Sequence, residues 1–229
     1  MKTLGILVTA LVLLVVGTMA GQDQPSPPQD EKLRQELLER VERDQAARKS
    51  VTQMLQMNIE LWQKSRKSKK ELSRTLKIVE RSQADIRKLM EINRQNTDWL
   101  KEIVEKYGWP GKTLVGEDGA HSARVLVDGA YHDIAFQKKC LDLMKEAVTK
   151  KEASHQDFAY LTDRVLIADK KKQLYGTQLT QDGDKLVPQP IEDEEHVDER
   201  RKEIGLQPLA EYLESAQGEL LPKKEEKGE

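Results

Sequence analysis

The sequence predicts a mainly α-helical domain with a long N-terminal helical segment and one small β-hairpin. Three observations lead to this prediction. Residues 31–107 contain neither glycine nor proline, the two residues least favourable inside helices. Apolar residues recur there at helical spacing. Near the C-terminus, Asp182–Gly183 is a strong hairpin turn signal between two short extended runs.

The composition fits a folded protein. Of the 229 residues, 37% are hydrophobic and 34% are charged, with a formal net charge of −2; disordered chains carry fewer apolar residues and a larger net charge. Only 4% are aromatic, and nine of those ten residues lie between Trp99 and Tyr212. The single cysteine, Cys140, excludes an internal disulfide framework and a multi-cysteine metal site. Because it lies on the apolar face of a predicted helix, we expect it in the core.

The first 20 residues have the features of a secretory signal peptide. Lys2 is their only charge, Leu4–Val16 is almost wholly apolar, and the small residues Thr18 and Ala20 suit a signal peptidase. We expect cleavage after Ala20 and a secreted or periplasmic protein with no stable membrane span. The alternative is that the segment is retained as an N-terminal membrane anchor. Residues 21–30 are polar and proline-rich, which is typical of a linker.

Residues 31–98 are predicted to form a basic helical arm. Residues 31–107 carry a formal charge of +6, whereas residues 108–229 carry −7. We expect breaks near Ser50 and at Lys64–Lys70, within the basic cluster of residues 64–74. That cluster has no interleaved aromatic residues, which favours a solvated hairpin tip over a nucleic-acid site. The apolar stripes of these helices are narrow, so the helices must bury them against another helix. Antiparallel pairing within the chain and a homodimer through the arm would both bury them.

Residues 99–213 are rich in motifs and are predicted to form one domain with the arm. The helix that leaves the arm is expected to end at Gly108, just before a proline. A short helix is expected over His121–Val127. Asp133 and Ser154 stand at N-cap positions of the two helices that follow.

Two extended runs, Gln173–Leu179 and Lys185–Val187, predict a hairpin at residues 173–187. Gly176, within the first run, indicates a place where another part of the molecule or a ligand comes close. Residues 214–229 are expected to be a disordered tail.

Short motifs follow one another in a specific order. They are DQAAR at 44–48, YGWPG at 107–111, HDIAFQ at 132–137, LTDRV at 161–165, YGTQ at 175–178 and VDERRKEIGLQPLAEY at 197–212. This set resembles the bacterial domain of unknown function 6624 family over about residues 35–213. The resemblance implies a bacterial source and one mostly helical domain, and it implies no activity. The chain departs from the family pattern just before His132, where a Gln-His-Ala-Asp type of run is expected and Tyr131–His132–Asp133–Ile134 stands.

Polar residues of these motifs are the candidate site residues. The candidates for catalysis are His132 and Asp163. The candidates for ligand binding are Asp44, Gln45, Arg48, Trp109, Gln137, Arg164, Tyr175, Thr177, Gln178 and Arg201.

Three interpretations of these residues stay open. The first is a buried polar network that ties the helices to the hairpin. The second is a pocket in which Arg and Gln side chains clamp a carboxylate or phosphate while Tyr175 contacts a ring. The third is an enzyme with His132 as general base, oriented by Asp163 or Asp133.

The sequence lacks the HExxH, GxSxG, P-loop and GxGxxG signatures, so it names no reaction. The four histidines are scattered, and we expect neither a metal nor a cofactor. We therefore predict an exported, non-catalytic binding or interaction module with a polar pocket. Its partner would be a small anionic or polar ligand, or a protein, and not a nucleic acid. The alternatives are a hydrolase-like enzyme that uses His132 and a structural protein that self-assembles through the arm.

Overall fold

The computed structural model describes residues 27–64, 69–182 and 185–220. In the two long helices, only the backbone is described after residue 54 and before residue 82. The predicted signal peptide, most of the linker, the tip of the basic cluster and residues 221–229 lie outside the described residues.

Two long helices, α1 (Glu31–Lys64) and α2 (Lys69–Tyr107), form an antiparallel pair. Arg40 of α1 lies 3.2 Å from Asn96 of α2, and Arg48, further along α1, lies 3.5 Å from the earlier residue Asn93. The described part of the arm therefore packs within the chain, as the alternative of antiparallel pairing predicts.

The expected break near Ser50 is absent, because α1 continues without interruption to Lys64. The cost of a serine inside a helix is small. Ser50 also faces α2, where it lines a shallow groove together with Asp85 and Lys88. Packing along the second helix therefore outweighs a weak local preference.

Three shorter helices complete the main layer: α3 (Lys112–Gly129), α4 (Ile134–Thr149) and α5 (His155–Ala168). Helix α3 is central, since it packs against α1, α2, α4 and α5. It starts earlier than the predicted helix at His121 because a first turn precedes a kink at Gly116. The main core contains Leu33, Leu37, Leu100, Val104, Trp109, Val115, Leu126, Val127, Phe136, Cys140, Met144, Leu161 and Val165.

Two predicted helix caps are confirmed. Asp133 accepts a hydrogen bond from the backbone nitrogen of Phe136 at 3.0 Å, at the start of α4. Ser154 accepts one from the backbone nitrogen of Asp157 at 2.9 Å, at the start of α5. Local side-chain bonds of this kind satisfy N–H groups that have no partner inside the helix.

The hairpin is shorter and later than predicted. Strands β1 (Leu179–Asp182) and β2 (Lys185–Pro188) pair antiparallel, with Leu179 opposite Pro188. Gln173, where the predicted hairpin begins, forms instead an isolated bridge with Ile191. The residues between Gln173 and β1 form a loop that wraps a buried carboxylate, which is described below.

The last two described helices are α6 (Val197–Glu203) and α7 (Leu209–Leu220). A small second core holds them, formed by Ile191, Val197 and Leu209. Residues 214–220, expected in a disordered tail, continue α7. The physical reason is a tertiary contact: the Gln217 side chain accepts a hydrogen bond from the backbone of Leu186 in β2 at 2.8 Å.

The predicted fold class is confirmed: the described chain is mainly α-helical with one small antiparallel hairpin. No helix in the described ranges combines the length and the apolar character needed to cross a membrane.

Candidate functional site

Asp163 is fully buried in α5 and organises the loop that follows this helix. Its Oδ1 accepts from the backbone nitrogens of Leu174 and Tyr175 at 2.7 and 3.1 Å. Its Oδ2 accepts from the backbone nitrogen and the hydroxyl of Thr177, both at 2.9 Å. This carboxylate therefore satisfies the backbone N–H groups of the loop, and buried polar groups are usually hydrogen-bonded in this way.

Arg201 of α6 closes the same loop from the other side. Its guanidinium donates to the carbonyl oxygens of Tyr175 and Gln207, at 2.5 and 2.7 Å. The Tyr212 hydroxyl donates to the carbonyl oxygen of Thr177 at 3.0 Å. The Gln178 side chain donates to the Thr177 hydroxyl at 3.1 Å.

The structure thus brings five predicted site residues together in one place: Asp163, Tyr175, Thr177, Gln178 and Arg201. We call this group the Asp163 loop. Its hydrogen bonds join members of the loop to one another, which is the arrangement of a buried polar network.

Asp44 and Arg48 form a second, separate place in the α1–α2 pair. Asp44 is buried and accepts from Arg48 at 2.6 and 3.1 Å. Gln45 between them is exposed. Gln137, on α4, is buried and donates to the carbonyl oxygen of Val127 at 2.9 Å. The Asp44–Arg48 pair lies within α1, whereas the Gln137 side chain joins α4 to α3.

His132 and Trp109 lie apart from both groups. Trp109 is buried in the main core. His132 is exposed, stands edge-on to Tyr131, and forms no hydrogen bond or ion pair with the described residues. Asp133, one proposed partner, is committed to the cap of α4 and to Lys101, whose Nζ lies 2.7 Å away. Asp163, the other, is engaged by its loop. Neither carboxylate therefore orients His132.

A third cluster lies between α3 and α5, and of its members only Arg164 is among the candidate site residues predicted from the sequence. His121 Nδ1 lies 2.8 Å from Asp157 Oδ1, and Arg124 Nε donates to the same oxygen at 3.1 Å. Arg124 also donates to Asp128, which accepts from Arg164 Nε at 3.1 Å. We call this chain of alternating charges the α3–α5 seam.

The seam exists because α3 and α5 run side by side in the same direction. His121 meets Asp157 and Asp128 meets Arg164, and in each pair the partners are 36 residues apart in sequence. Along each helix, the seam residues are spaced three, four or seven positions apart, so that they occupy one face. Each turn of α3 therefore meets the corresponding turn of α5.

The middle of the seam is buried and its ends are open. The side chains of Arg124 and Asp157 are 10% and 12% exposed, whereas His121 is 54% exposed. Burial by itself would raise the pKa of Asp157, but the hydrogen bond from His121 and the charge of Arg124 outweigh it and hold that pKa below its ordinary value. Asp157 is thus an ionised acceptor near neutral pH.

The open end of the seam faces a cleft of about 480 Å³. Its wall includes the polar residues Lys112, Glu117, His121, Arg124, Ser154, Gln156, Asp157 and Tyr160. An adjoining depression of about 410 Å³ shares four of them and reaches Ile204. A carboxylate can only accept, so the proton between His121 and Asp157 belongs to His121 Nδ1. The other ring nitrogen, Nε2, forms no hydrogen bond with the described residues.

The sequence contains a sign of the seam, although it does not predict which residues of α3 pair with which residues of α5. His121, Arg124 and Asp128 are three and four residues apart, so a helix there places them on one face. Asp157 stands three residues after Ser154, where a capping box has its acidic residue, but its carboxylate contacts His121 and Arg124.

The described part of the chain contains no group of three or more His, Cys, Asp or Glu residues placed to hold a metal ion. The single cysteine, Cys140, is fully buried in the core, as expected.

Residues 77–220 match the model of a family of unknown function, DUF6624. Searches of curated proteins and of solved structures find no match. The matched range covers most of α2, all of the shorter helices and the hairpin, and it includes both the seam and the Asp163 loop. The chain belongs to the DUF6624 family of unknown function.

Proposed function

We propose that this protein is an exported, non-catalytic binding module that takes a small polar ligand into the cleft between α3 and α5. One observation carries the proposal. The His121 ring opens on the cleft, while the buried carboxylate of Asp157 fixes its Nδ1 at 2.8 Å. This ring is held in place, its second nitrogen has no partner among the described residues, and it is therefore preorganised for a ligand.

The size and lining of the cleft support the same function. A volume of about 480 Å³ lies within the range of small-molecule sites. The wall combines charged groups with the ring of Tyr160, which stacks against Arg124 at 5.4 Å and meets Tyr212 edge-on. Such a wall offers both hydrogen bonds and an apolar contact.

The rigidity of the seam supports it further. Arg124 is held by two carboxylates, Asp157 and Asp128, and Asp128 is held in turn by Arg164. Because each buried charge already has a partner, a ligand entering the cleft meets a wall that does not need to reorganise.

A thermal-shift screen of small polar metabolites tests the proposal. A ligand that prefers the native state raises the apparent melting temperature. We expect at least one compound to do so with the wild type and with the His132→Gln variant, and to lose its effect with His121→Gln. Both histidines are exposed, so the two variants are matched. A shift that survives in His121→Gln and disappears in His132→Gln would place the site elsewhere and contradict the proposal.

The His121–Asp157 contact also favours a second candidate function, catalysis. An aspartate on Nδ1 leaves Nε2 as a proton acceptor, the arrangement of a general base that activates water or a hydroxyl. The histidine concerned is His121 and not His132. Incubation of the ligand found in the screen, followed by NMR, separates the two functions. Recovery of the intact ligand supports binding, whereas turnover that disappears in His121→Gln supports an enzyme.

Export rests on residues 1–20, whose charge, apolar run and small residues support a signal peptide. Expression of the full chain in bacteria, fractionation and mass spectrometry test it. A mature protein in the periplasm or medium that begins at Gly21 is the expected result. Full-length protein in the membrane fraction would favour the retained anchor instead.

A further inference from the structure

The net charge of the seam depends on one residue, His121. Its two carboxylates, Asp128 and Asp157, are matched by two guanidinium groups, Arg124 and Arg164. The other charged groups of the cleft wall, Lys112 and Glu117, pair with each other at 2.7 Å. Protonation of His121 would therefore leave the cleft with an unmatched positive charge.

The two protonation states of His121 present opposite groups to the cleft. When the ring is neutral, the proton on Nδ1 is committed to Asp157, and Nε2 offers a lone pair. When the ring is protonated, Nε2 becomes an N–H donor and the cleft gains one unmatched positive charge. A lone pair repels an anionic oxygen, and a charged donor attracts it.

Arg124 supplies a second group for the same ligand. It lines the cleft, and its bonded nitrogens are Nε and Nη1, directed to Asp157 and Asp128. Its Nη2 forms no hydrogen bond with the described residues. A planar guanidinium with a spare terminal nitrogen suits an oxygen of a carboxylate or phosphate.

From these observations we propose that the ligand of this cleft carries an anionic oxygen group, a carboxylate or a phosphate. It is held by an N–H at Nε2 of His121 together with Nη2 of Arg124. This inference rests on the proposed binding function and gives it a ligand class.

The test uses two simple ions, sulfate as the analogue of a phosphate and acetate as the carboxylate. Histidine side-chain and backbone amide NMR signals of the full chain are followed during titration at one fixed pH, with ionic strength held constant by sodium chloride. We expect at least one ion to shift the His121 signals and the amide signal of Gln156 in the cleft wall. The neutral analogue acetamide should leave both unchanged. Which ion binds more tightly distinguishes a phosphate-like ligand from a carboxylate.

Two variants complete the test. In His121→Gln the amide signal of Gln156 should no longer respond to the ion, while in His132→Gln it should respond as in the wild type. Because His121 is half-exposed, its replacement should leave the fold intact, which the dispersion of the backbone spectrum verifies. An equal response to acetamide, or an unchanged response of Gln156 in His121→Gln, would overturn the inference.

Failure of the inference is distinguishable from failure of the proposed function. If neither ion moves the His121 signals but a neutral compound from the screen does, the ligand class is wrong and the cleft is still the site. If every compound and both ions leave those signals unchanged, the proposed function fails as well.

Discussion

Asp163 and Thr177 are joined twice: one carboxylate oxygen accepts from both the backbone nitrogen and the hydroxyl of Thr177, each at 2.9 Å. The same carboxylate also accepts from the backbone nitrogens of Leu174 and Tyr175, so it fixes the position of the loop. The residues of the YGTQ motif therefore form a loop around the buried carboxylate of Asp163.

The first prediction concerns this carboxylate. Asp163→Ala leaves several buried N–H donors without an acceptor, each worth about 1–3 kcal/mol, so we expect the free energy of unfolding to fall by about 3–5 kcal/mol. Urea denaturation followed by circular dichroism measures it. The control is Asp169→Ala, which removes a surface pair with Lys138 and should cost less than about 1 kcal/mol. Equal effects of the two variants would show that the loop does not depend on Asp163.

The second prediction concerns Gly176. Its φ is +70°, and a Cβ there would lie 2.8 Å from Leu209 and 3.0 Å from Ile191. Gly176→Ala should therefore combine backbone strain with overpacking of the small core, lowering the free energy of unfolding by about 2–4 kcal/mol.

Gly108 offers a matched control for that variant. Its φ is +72°, but nothing lies within 4 Å of the Cβ that an alanine would add. Gly108→Ala should cost only the backbone strain, about 1 kcal/mol. If both variants lose the same stability by urea denaturation, the close contact with Leu209 and Ile191 contributes nothing.

The third prediction concerns the thiol of Cys140. Burial raises its pKa to about 12, so near pH 8 the native protein holds a neutral, inaccessible thiol. A thiol reagent such as dithionitrobenzoate should label the folded chain very slowly and the urea-unfolded chain at once. Absorbance at the wavelength of the released product measures both rates. Rapid labelling of the folded chain would contradict the packing of α4 in the core.

The fourth prediction concerns the pH dependence of stability. The pKa of Asp157 is lower in the folded protein than in the unfolded chain, so its stabilising effect is full above about pH 4 and is lost as the pH falls through the folded value. Asp157→Asn should be less stable than the wild type at neutral pH, and the difference should narrow in acid. Urea denaturation at several pH values measures it, with the exposed Asp142→Asn as control. A difference that stays constant with pH would contradict the assigned role of the carboxylate.

Features set by neighbouring residues were predictable from the sequence. The caps at Asp133 and Ser154 involve partners three residues away, and the apolar face with Phe136, Cys140 and Met144 follows from helical spacing alone. The end of α2 at Tyr107 also follows from the glycine and proline just beyond it.

Features set by distant residues were not predictable. Residues 174–178 were expected to be extended, but Asp163, more than ten positions earlier, holds them in a loop. His121 contacts Asp157 because α3 and α5 lie side by side. No local sequence pattern predicts that arrangement. The polar motifs indicated where these regions lie in the sequence. They did not show that most of the motif residues form hydrogen bonds within the fold.

We propose that His121 marks the ligand site. The most direct measurement is the long-range ¹H–¹⁵N NMR spectrum of the histidine side chains, recorded with and without a compound that raises the melting temperature. We expect the His121 ring signals to move on ligand addition while those of His132 stay in place. Movement of His132 with His121 unchanged would contradict it.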